Sequence, residues 1–190
     1  MVLFFNGFCF NGIDVGYNDF VYVDGVSDEK RIKELVDEYK DVKDLIVVGY
    51  SFGVYYGNIF LNELNRDDVK TIAICGTPHS MNKEDGINPL LIKMMLKAMS
   101  IETMADFFIK VGYRKEITLE RATFELESML YNYIEYENKF DTLIYAKNDQ
   151  IFKPEALVQQ YKTCYGINAE HYIFGNKEYD EKFKEIYTPV

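Results

Sequence analysis

Basic residues are in the minority in this sequence. The 190 residues contain 21 Lys and Arg against 31 Asp and Glu, which gives a formal net charge of -10. A surface with this excess of negative charge repels the phosphate backbone and anionic headgroups. The composition therefore argues against nucleic acid and anionic membranes as partners.

Long apolar runs are also missing. The longest, such as Leu45–Val48, have the length of a strand, far short of the roughly 18 to 20 residues that a membrane-spanning helix needs. The apolar start Met1–Phe5 follows no basic segment and is interrupted by Asn6 and Gly7, unlike a signal peptide. We expect a cytoplasmic protein that does not span a membrane.

Cysteines are few and widely spaced. Cys9, Cys75 and Cys164 are odd in number and form no C-x-x-C motif, so the sequence predicts neither a disulfide framework nor a metal site. We expect three reduced, buried cysteines and no cofactor. With 48% hydrophobic and 27% charged residues, the chain has the composition of one globular domain, residues 1–190.

Short apolar runs alternate with longer amphipathic stretches, a pattern typical of parallel strands joined by crossover helices. The predicted strands are Val2–Phe5, Phe20–Val23, Leu45–Val48, Thr71–Cys75, Thr142–Ala146 and a last one near Ile167–Tyr172. The predicted helices are Asp28–Tyr39, Gly53–Asn65, Pro154–Tyr161 and Glu178–Tyr187. Because nearly all of these strands lack charged residues, we expect an α/β fold with a mostly parallel sheet of about six strands and helices on both faces.

Residues 88–136 interrupt this alternation, because apolar residues recur there at helical spacing without any strand signal. We expect a helical cap insertion over the carboxyl ends of the strands, where ligands bind in this architecture. Five of the seven methionines fall within it: Met94, Met95, Met99, Met104 and Met129. Such pliable side chains suit a slot for a flexible ligand, although ordinary core packing explains them equally well.

The segment Gly49–Gly53 reads G-Y-S-F-G and lies directly between a predicted strand and a predicted helix. This is the context of a nucleophile elbow, in which a strained turn exposes the serine hydroxyl above the sheet. The alternative is an ordinary strand-to-helix turn. The context favours Ser51 as a nucleophile.

A serine nucleophile requires a histidine base and a carboxylate that orients it, in the chain order Ser, Asp or Glu, His. Only two histidines occur, and His171 follows the last predicted strand, whereas His79 precedes every suitable carboxylate. Asp149 follows the strand Thr142–Ala146 and is the best acid, although a turn-capping aspartate is the alternative. We expect His79 either to line the crevice or to have no role.

An acyl-transfer site also needs two backbone N–H groups directed at the oxyanion. Phe52, directly after the predicted nucleophile, is one expected donor. The other is expected in the glycine turn after the first strand, where Phe8 is preferred to Cys9. A plain turn at this position is compatible with the same role.

Together these segments resemble the α/β-hydrolase superfamily, and within it the small BioG-type pimeloyl-[acyl-carrier protein] methyl ester esterases. The resemblance rests on Phe4–Phe8, Gly49–Gly53, Cys75–Pro78 with Asp85–Ile87, Lys147–Phe152 and His171–Phe174. It implies a compact α/β-hydrolase fold and methyl ester hydrolysis in biotin biosynthesis through a Ser-His-Asp triad and an acyl-enzyme. It also implies an acidic acyl-carrier protein as the partner that bears the substrate.

Residues 93–115 are the segment with the charge to meet such a carrier. They contain five basic residues against two acidic ones, and a positive patch favours an acidic partner. The basic residues are Lys93, Lys97, Lys110, Arg114 and Lys115. Scattered, solvated side chains remain the alternative.

Two other functions remain open. A triad does not specify the leaving group, so a generic short-acyl carboxylesterase or thioesterase is one alternative. A non-catalytic binding protein with a hydrolase fold is the other, although the presence of all three triad residue types argues against it.

Overall fold

A six-stranded parallel sheet forms the centre of the molecule. The computed structural model describes residues 1–10, 15–24, 29–113 and 118–187. The strands are β1 (Val2–Phe5), β2 (Val21–Val23), β3 (Ile46–Tyr50), β4 (Lys70–Ile74), β5 (Thr142–Ala146) and β6 (Thr163–Ile167). They are hydrogen-bonded in the order β2-β1-β3-β4-β5-β6, and every pair is parallel. The α/β fold with a six-stranded sheet predicted from the sequence is confirmed.

Seven α-helices are described. They are α1 (Glu29–Tyr39), α2 (Gly53–Leu64), α3 (Pro89–Lys97), α4 (Ile101–Val111), α5 (Leu119–Tyr131), α6 (Pro154–Leu157) and α7 (Lys177–Tyr187). The predicted helix at residues 154–161 is α6 followed by a 3₁₀ turn at Val158–Gln160. Asp28, the predicted first residue of α1, lies outside the described residues.

Hydrophobic residues cover both faces of the sheet because successive side chains of a strand point to opposite sides. On one face, Phe4 of β1 and Val48 of β3 pack with residues of α4, α5 and α7. On the other face, Leu3 of β1 and Val47 of β3 pack with residues of α1 and α2. Burial on both faces explains why the central strands carry so few charges.

The last strand differs from its prediction. The structure places β6 at Thr163–Ile167, paired with β5 along the edge of the sheet, so the strand predicted near Ile167–Tyr172 is wrong. This edge strand is partly exposed, and its sequence T-C-Y-G-I contains no apolar run that would have predicted a strand. Of the apolar residues that suggested a strand, Ile167 ends β6, whereas Ala169 and Tyr172 pack against the core from the following loop, beside the fully buried Ile173. His171 therefore lies in a loop after β6.

The predicted insertion, residues 88–136, contains α3, α4 and α5 between β4 and β5 in the chain, and we refer to it as the cap. Asn88 caps α3 by accepting a hydrogen bond from the Leu90 N–H, with Pro89 at the first helical position. Ser100 and Thr103 form a reciprocal capping box at the start of α4. Such caps satisfy N–H groups that the helix leaves unpaired. No described helix has the length and hydropathy that crossing a bilayer requires.

Candidate active site

Ser51 lies at the sharp turn between β3 and α2. Its φ is 55°, a left-handed conformation that costs a non-glycine residue about 1–2 kcal/mol. The Ser51 N–H donates to the Ile74 carbonyl of the neighbouring strand at 2.9 Å. Surrounding structure thus holds the strained turn that the G-x-S-x-G pattern predicts.

Two glycines allow the backbone to approach the elbow closely. A Cβ on Gly53 would lie 2.0 Å from the Phe5 carbonyl oxygen, so only glycine lets α2 start against β1. A Cβ on Gly7 would lie 2.8 Å from the Ser51 Cβ. The turn after β1 is therefore packed directly against the serine.

His171 connects the serine to a carboxylate. Its Nε2 lies 3.0 Å from Ser51 Oγ, and its Nδ1 lies 2.8 Å from Asp149 Oδ2. An ionised carboxylate only accepts hydrogen bonds, so Nδ1 carries the proton. Nε2 then has its lone pair free to accept the Ser51 O–H. This arrangement suits proton transfer from serine to histidine.

Asp149 is fixed from both sides in the loop after β5. Its Oδ1 accepts the Ile151 N–H at 2.7 Å and the Phe152 N–H at 3.0 Å, while Oδ2 faces His171. The side chain is fully buried. Asp149 thus caps its turn and also contacts the imidazole. The two alternatives that the sequence left open for this residue, a turn cap and a partner of the histidine, both correspond to contacts in the structure.

Aromatic side chains enclose the His171 ring. The Tyr50 ring centroid lies 5.4 Å away and that of Phe152 lies 5.9 Å away. The next residue, Tyr172, donates its N–H to the Val111 carbonyl at the end of α4 at 2.7 Å. The histidine loop is therefore attached to the cap.

Phe8 and Phe52, the two predicted oxyanion donors, are buried, and their N–H groups have no hydrogen-bond partner in the described parts of the chain. Buried N–H groups are usually paired, so two unpaired ones in the turns around Ser51 suit the predicted role of binding an oxyanion. The Cys9 N–H, the alternative donor, is engaged by Glu125 Oε2 at 2.7 Å.

His79 does not belong to the hydrogen-bonded series formed by Ser51, His171 and Asp149. It lies in the loop after β4, and its Nδ1 is 3.0 Å from Glu135 Oε1 in the segment that returns from the cap. This contact joins the end of the cap to the core.

The other predicted contact residues lie on the cap. Lys93, Met94 and Lys97 of α3 are exposed and line a surface groove of about 320 Å³. Met95 is half-buried against the core, and Lys110 is exposed on α4. Arg114 and Lys115 lie outside the described residues.

Cys75 is a residue of this site that the sequence did not reveal. Its Sγ and ligand atoms of Asp149 and His171 lie within 4.8 Å of one another. Burial, and then the charge of Asp149, raise the pKa of the Cys75 thiol well above its ordinary value. Both oxygens of Asp149 accept hydrogen bonds, and both ring nitrogens of His171 are within hydrogen-bond distance of Asp149 or Ser51. These contacts suit a proton-transfer site. The sequence signal that could have placed Cys75 in this site is its position directly after β4, which lies between β3 and β5 in the sheet.

The fold is similar to that of BioG from Haemophilus influenzae, with a TM-score of 0.74, 17% sequence identity, and coverage of 91% of this chain and 89% of that chain. Human thioesterase 2 aligns with a TM-score of 0.55 and 16% identity over 97% of this chain and 92% of that one. Naproxen esterase from Bacillus subtilis aligns with a TM-score of 0.61 and 11% identity over 98% and 83%. The sequence matches no protein-family model and none of the curated proteins. The chain therefore has the α/β-hydrolase fold.

Proposed function

We propose that this chain is a serine esterase that hydrolyses the methyl ester of pimeloyl-[acyl-carrier protein] to methanol and the free acid. The observation that carries the esterase function is the series Ser51–His171–Asp149, with hydrogen-bond distances of 3.0 and 2.8 Å beside two unpartnered buried N–H groups. The substrate is suggested by the motifs of the sequence, and the similarity of the fold to BioG supports it.

The reaction begins with attack of Ser51 Oγ on the ester carbonyl while His171 Nε2 takes the hydroxyl proton. The carbonyl electrons move onto oxygen, and the N–H groups of Phe8 and Phe52 donate to that oxyanion. When the tetrahedral intermediate collapses, His171 returns the proton to the leaving methoxide and methanol departs. The acyl group is then bound to Ser51 as an ester.

Water completes the cycle. His171 Nε2 takes a proton from water as it attacks the acyl-enzyme, and then protonates Ser51 Oγ as the acid is released. Asp149 keeps Nδ1 protonated and stabilises the imidazolium in both halves. The product bears a free carboxylate, and this favours its return to water because an unpaired buried charge is costly.

The direct experiment is incubation of the protein with pimeloyl-carrier methyl ester, followed by the mass of the carrier. We expect the loss of one CH2 unit with the parent protein and none with Ser51→Ala, which removes only a hydroxyl. An unchanged mass with the parent, at a concentration where a small ester is hydrolysed, would contradict the proposed substrate.

The groove between α3 and α5 is the proposed docking surface for the carrier. Its lining combines exposed apolar side chains, including Leu90, Met94 and Tyr131, with the cations Lys93 and Lys97 and one carboxylate, Glu127. The charged lining is therefore positive by one unit. An acidic carrier complements this charge in a chain that is negative overall. Exposed Lys110 on α4 adds a further positive charge to the cap.

Charge reversal tests this surface. Lys93→Glu and Lys97→Glu are expected to lower kcat/KM for the carrier-bound ester while sparing a small soluble ester, and the loss should shrink as salt screens the charges. Lys43→Glu is the matched control, because Lys43 is exposed at the opposite end of the sheet, before β3. Equal losses on both substrates, or none on either, would contradict docking at this groove.

A thioesterase is the second candidate, because the fold is also similar to that of human thioesterase 2. Comparing kcat/KM for a methyl ester and for a thioester of the same acyl chain separates the two. A non-catalytic binding protein would leave Ser51 unlabelled by a fluorophosphonate probe.

A further inference from the structure

Glu125 is a buried carboxylate of the cap that reaches the turn after β1. It lies on α5 and is 7% exposed. Its Oε2 accepts the Cys9 N–H at 2.7 Å, and its Oε1 accepts from Arg121 Nε at 2.7 Å. A buried charge is stable only when it is paired and hydrogen-bonded, and both oxygens of Glu125 are. The cap thus holds a backbone amide one residue away from the proposed oxyanion donor Phe8.

The turn that Glu125 contacts has a conformation that its sequence does not favour. The Phe10 N–H donates to the Gly7 carbonyl at 3.1 Å, and the third residue of the turn, Cys9, has a φ of 57°. This is the pattern of a type II turn, which normally has glycine at the third position. Without glycine, the turn needs support from outside. A charge-assisted hydrogen bond is about twice as strong as a neutral one, and the bond from Cys9 to Glu125 is of that kind.

A second carboxylate holds the start of the same segment. Asn6 Nδ2 donates to Asp24 Oδ1. The pKa of Arg121 is raised, mainly by its hydrogen bond to Glu125 and further by the charges of Glu125 and Asp24. Arg121 thus forms an ion pair with the carboxylate that holds Cys9 and is influenced by the charge of the carboxylate that holds Asn6. Phe8 itself packs edge-on against Phe107 of α4, with centroids 5.6 Å apart.

We infer that Glu125 is a positioning residue for the oxyanion hole: by binding the Cys9 N–H it stabilises the left-handed turn that directs the Phe8 N–H at the reacting carbonyl. The inference rests on the proposed esterase function and deepens it. Glu125 touches no reacting atom. It acts through the turn, and it makes the cap part of the transition-state geometry.

Kinetics on a small ester, p-nitrophenyl butyrate, test this role. Removal of an oxyanion donor lowers kcat by about 10²–10³-fold. A donor that is displaced but still present should cause a smaller fall in kcat. We expect Glu125→Ala to lower kcat by about 10- to 100-fold on that scale, with little change in KM. Glu125→Gln keeps an acceptor oxygen and should retain most of the activity. Glu120→Ala, an exposed glutamate on the same helix, is the control and should behave as the parent.

A glycine rescue separates positioning from general stability. Cys9→Gly, added to Glu125→Ala, supplies the residue that a type II turn favours and should recover much of the lost kcat. An alkyl boronic acid, which forms a tetrahedral adduct with Ser51, should bind Glu125→Ala more weakly in proportion to the loss in kcat.

Three results would overturn the inference: an unchanged kcat in Glu125→Ala, an equal fall in Glu125→Gln and Glu125→Ala, or a kcat that the glycine does not restore. A parent that hydrolysed neither the carrier ester nor the small ester would instead show that the proposed function is wrong. The assay does not need the carrier, so an incorrect carrier substrate leaves the comparison intact.

Discussion

Replacement of Asp149 by asparagine separates orientation of the histidine from capping of the turn. Asp149 Oδ1 accepts two backbone N–H groups, from Ile151 and Phe152, while Oδ2 accepts from His171 Nδ1. An asparagine can place its single oxygen on only one of these sides. Its NH2 group must then face the other.

The balance of hydrogen bonds decides the orientation. If the amide nitrogen faced the backbone, the N–H groups of Ile151 and Phe152 would both face a donor. The loss of stability would be about 1–3 kcal/mol for each unsatisfied N–H group. Keeping the oxygen there sacrifices only the contact with His171. The NH2 group therefore donates to Nδ1, which moves the imidazole proton to Nε2. A protonated Nε2 cannot accept the Ser51 hydroxyl proton.

We expect kcat of Asp149→Asn for p-nitrophenyl butyrate to fall by about 10⁴-fold, the size of effect known for a wrong tautomer in a serine protease triad. At 1.36 kcal/mol per tenfold, this corresponds to about 5 kcal/mol of activation free energy. The turn keeps its cap, so the midpoint of thermal unfolding should fall by only a few degrees.

Asp149→Ala supplies the comparison. It removes the acceptor for both backbone N–H groups, so its unfolding midpoint should fall further, in keeping with about 2–6 kcal/mol for two unsatisfied donors. If Asp149→Asn kept more than about a tenth of the parent kcat, a loss of under 1.4 kcal/mol, Asp149 would be a turn cap alone and the triad would need another acid.

Two further predictions follow from the geometry. His171→Ala should reduce kcat as far as Ser51→Ala, because members of a triad act as a unit. His79→Ala removes a side-chain contact with Glu135 and should remain active. The p-nitrophenyl butyrate assay tests both variants, and an inactive His79 variant beside an active His171 variant would refute the choice of base. Gly53→Ala should destabilise the fold by about 4 kcal/mol or more, because its Cβ would lie 2.0 Å from the Phe5 carbonyl oxygen; thermal unfolding close to that of the parent would contradict the close approach of α2 to β1.

The sequence predicts the central strands well because both of their faces are buried. The structure has β1 and β5 at the predicted bounds, since these strands are short apolar runs between polar turns. The edge strand β6 escaped prediction because an exposed face requires no apolar residues. The apolar segment that follows it is buried as a loop, so hydrophobicity there indicated burial and not a strand.

The approach of Ser51, Asp149 and His171 could be predicted from the sequence for a topological reason. In a parallel sheet the carboxyl ends of all strands lie along one edge, so residues that follow β3, β5 and the last strand converge without any contact being known in advance. The required chain order then left one suitable histidine, His171. The hydrogen bonds from His171 to Ser51 and Asp149 join residues that lie 120 and 22 positions apart.

Glu125 could not be found by that route, because a glutamate on an amphipathic helix has the same pattern whether it faces solvent or a buried turn. Its contact with Cys9 joins residues 116 positions apart, and the contact of Tyr172 with Val111 joins the histidine loop to α4. One contact holds the turn that carries Phe8, and the other holds the loop that carries the base. Both reach the cap, and neither lies on the strands that position Ser51. The sheet therefore fixes the proposed nucleophile Ser51, whereas the geometry of the proposed base and of the proposed oxyanion donor depends also on how the cap packs against the sheet.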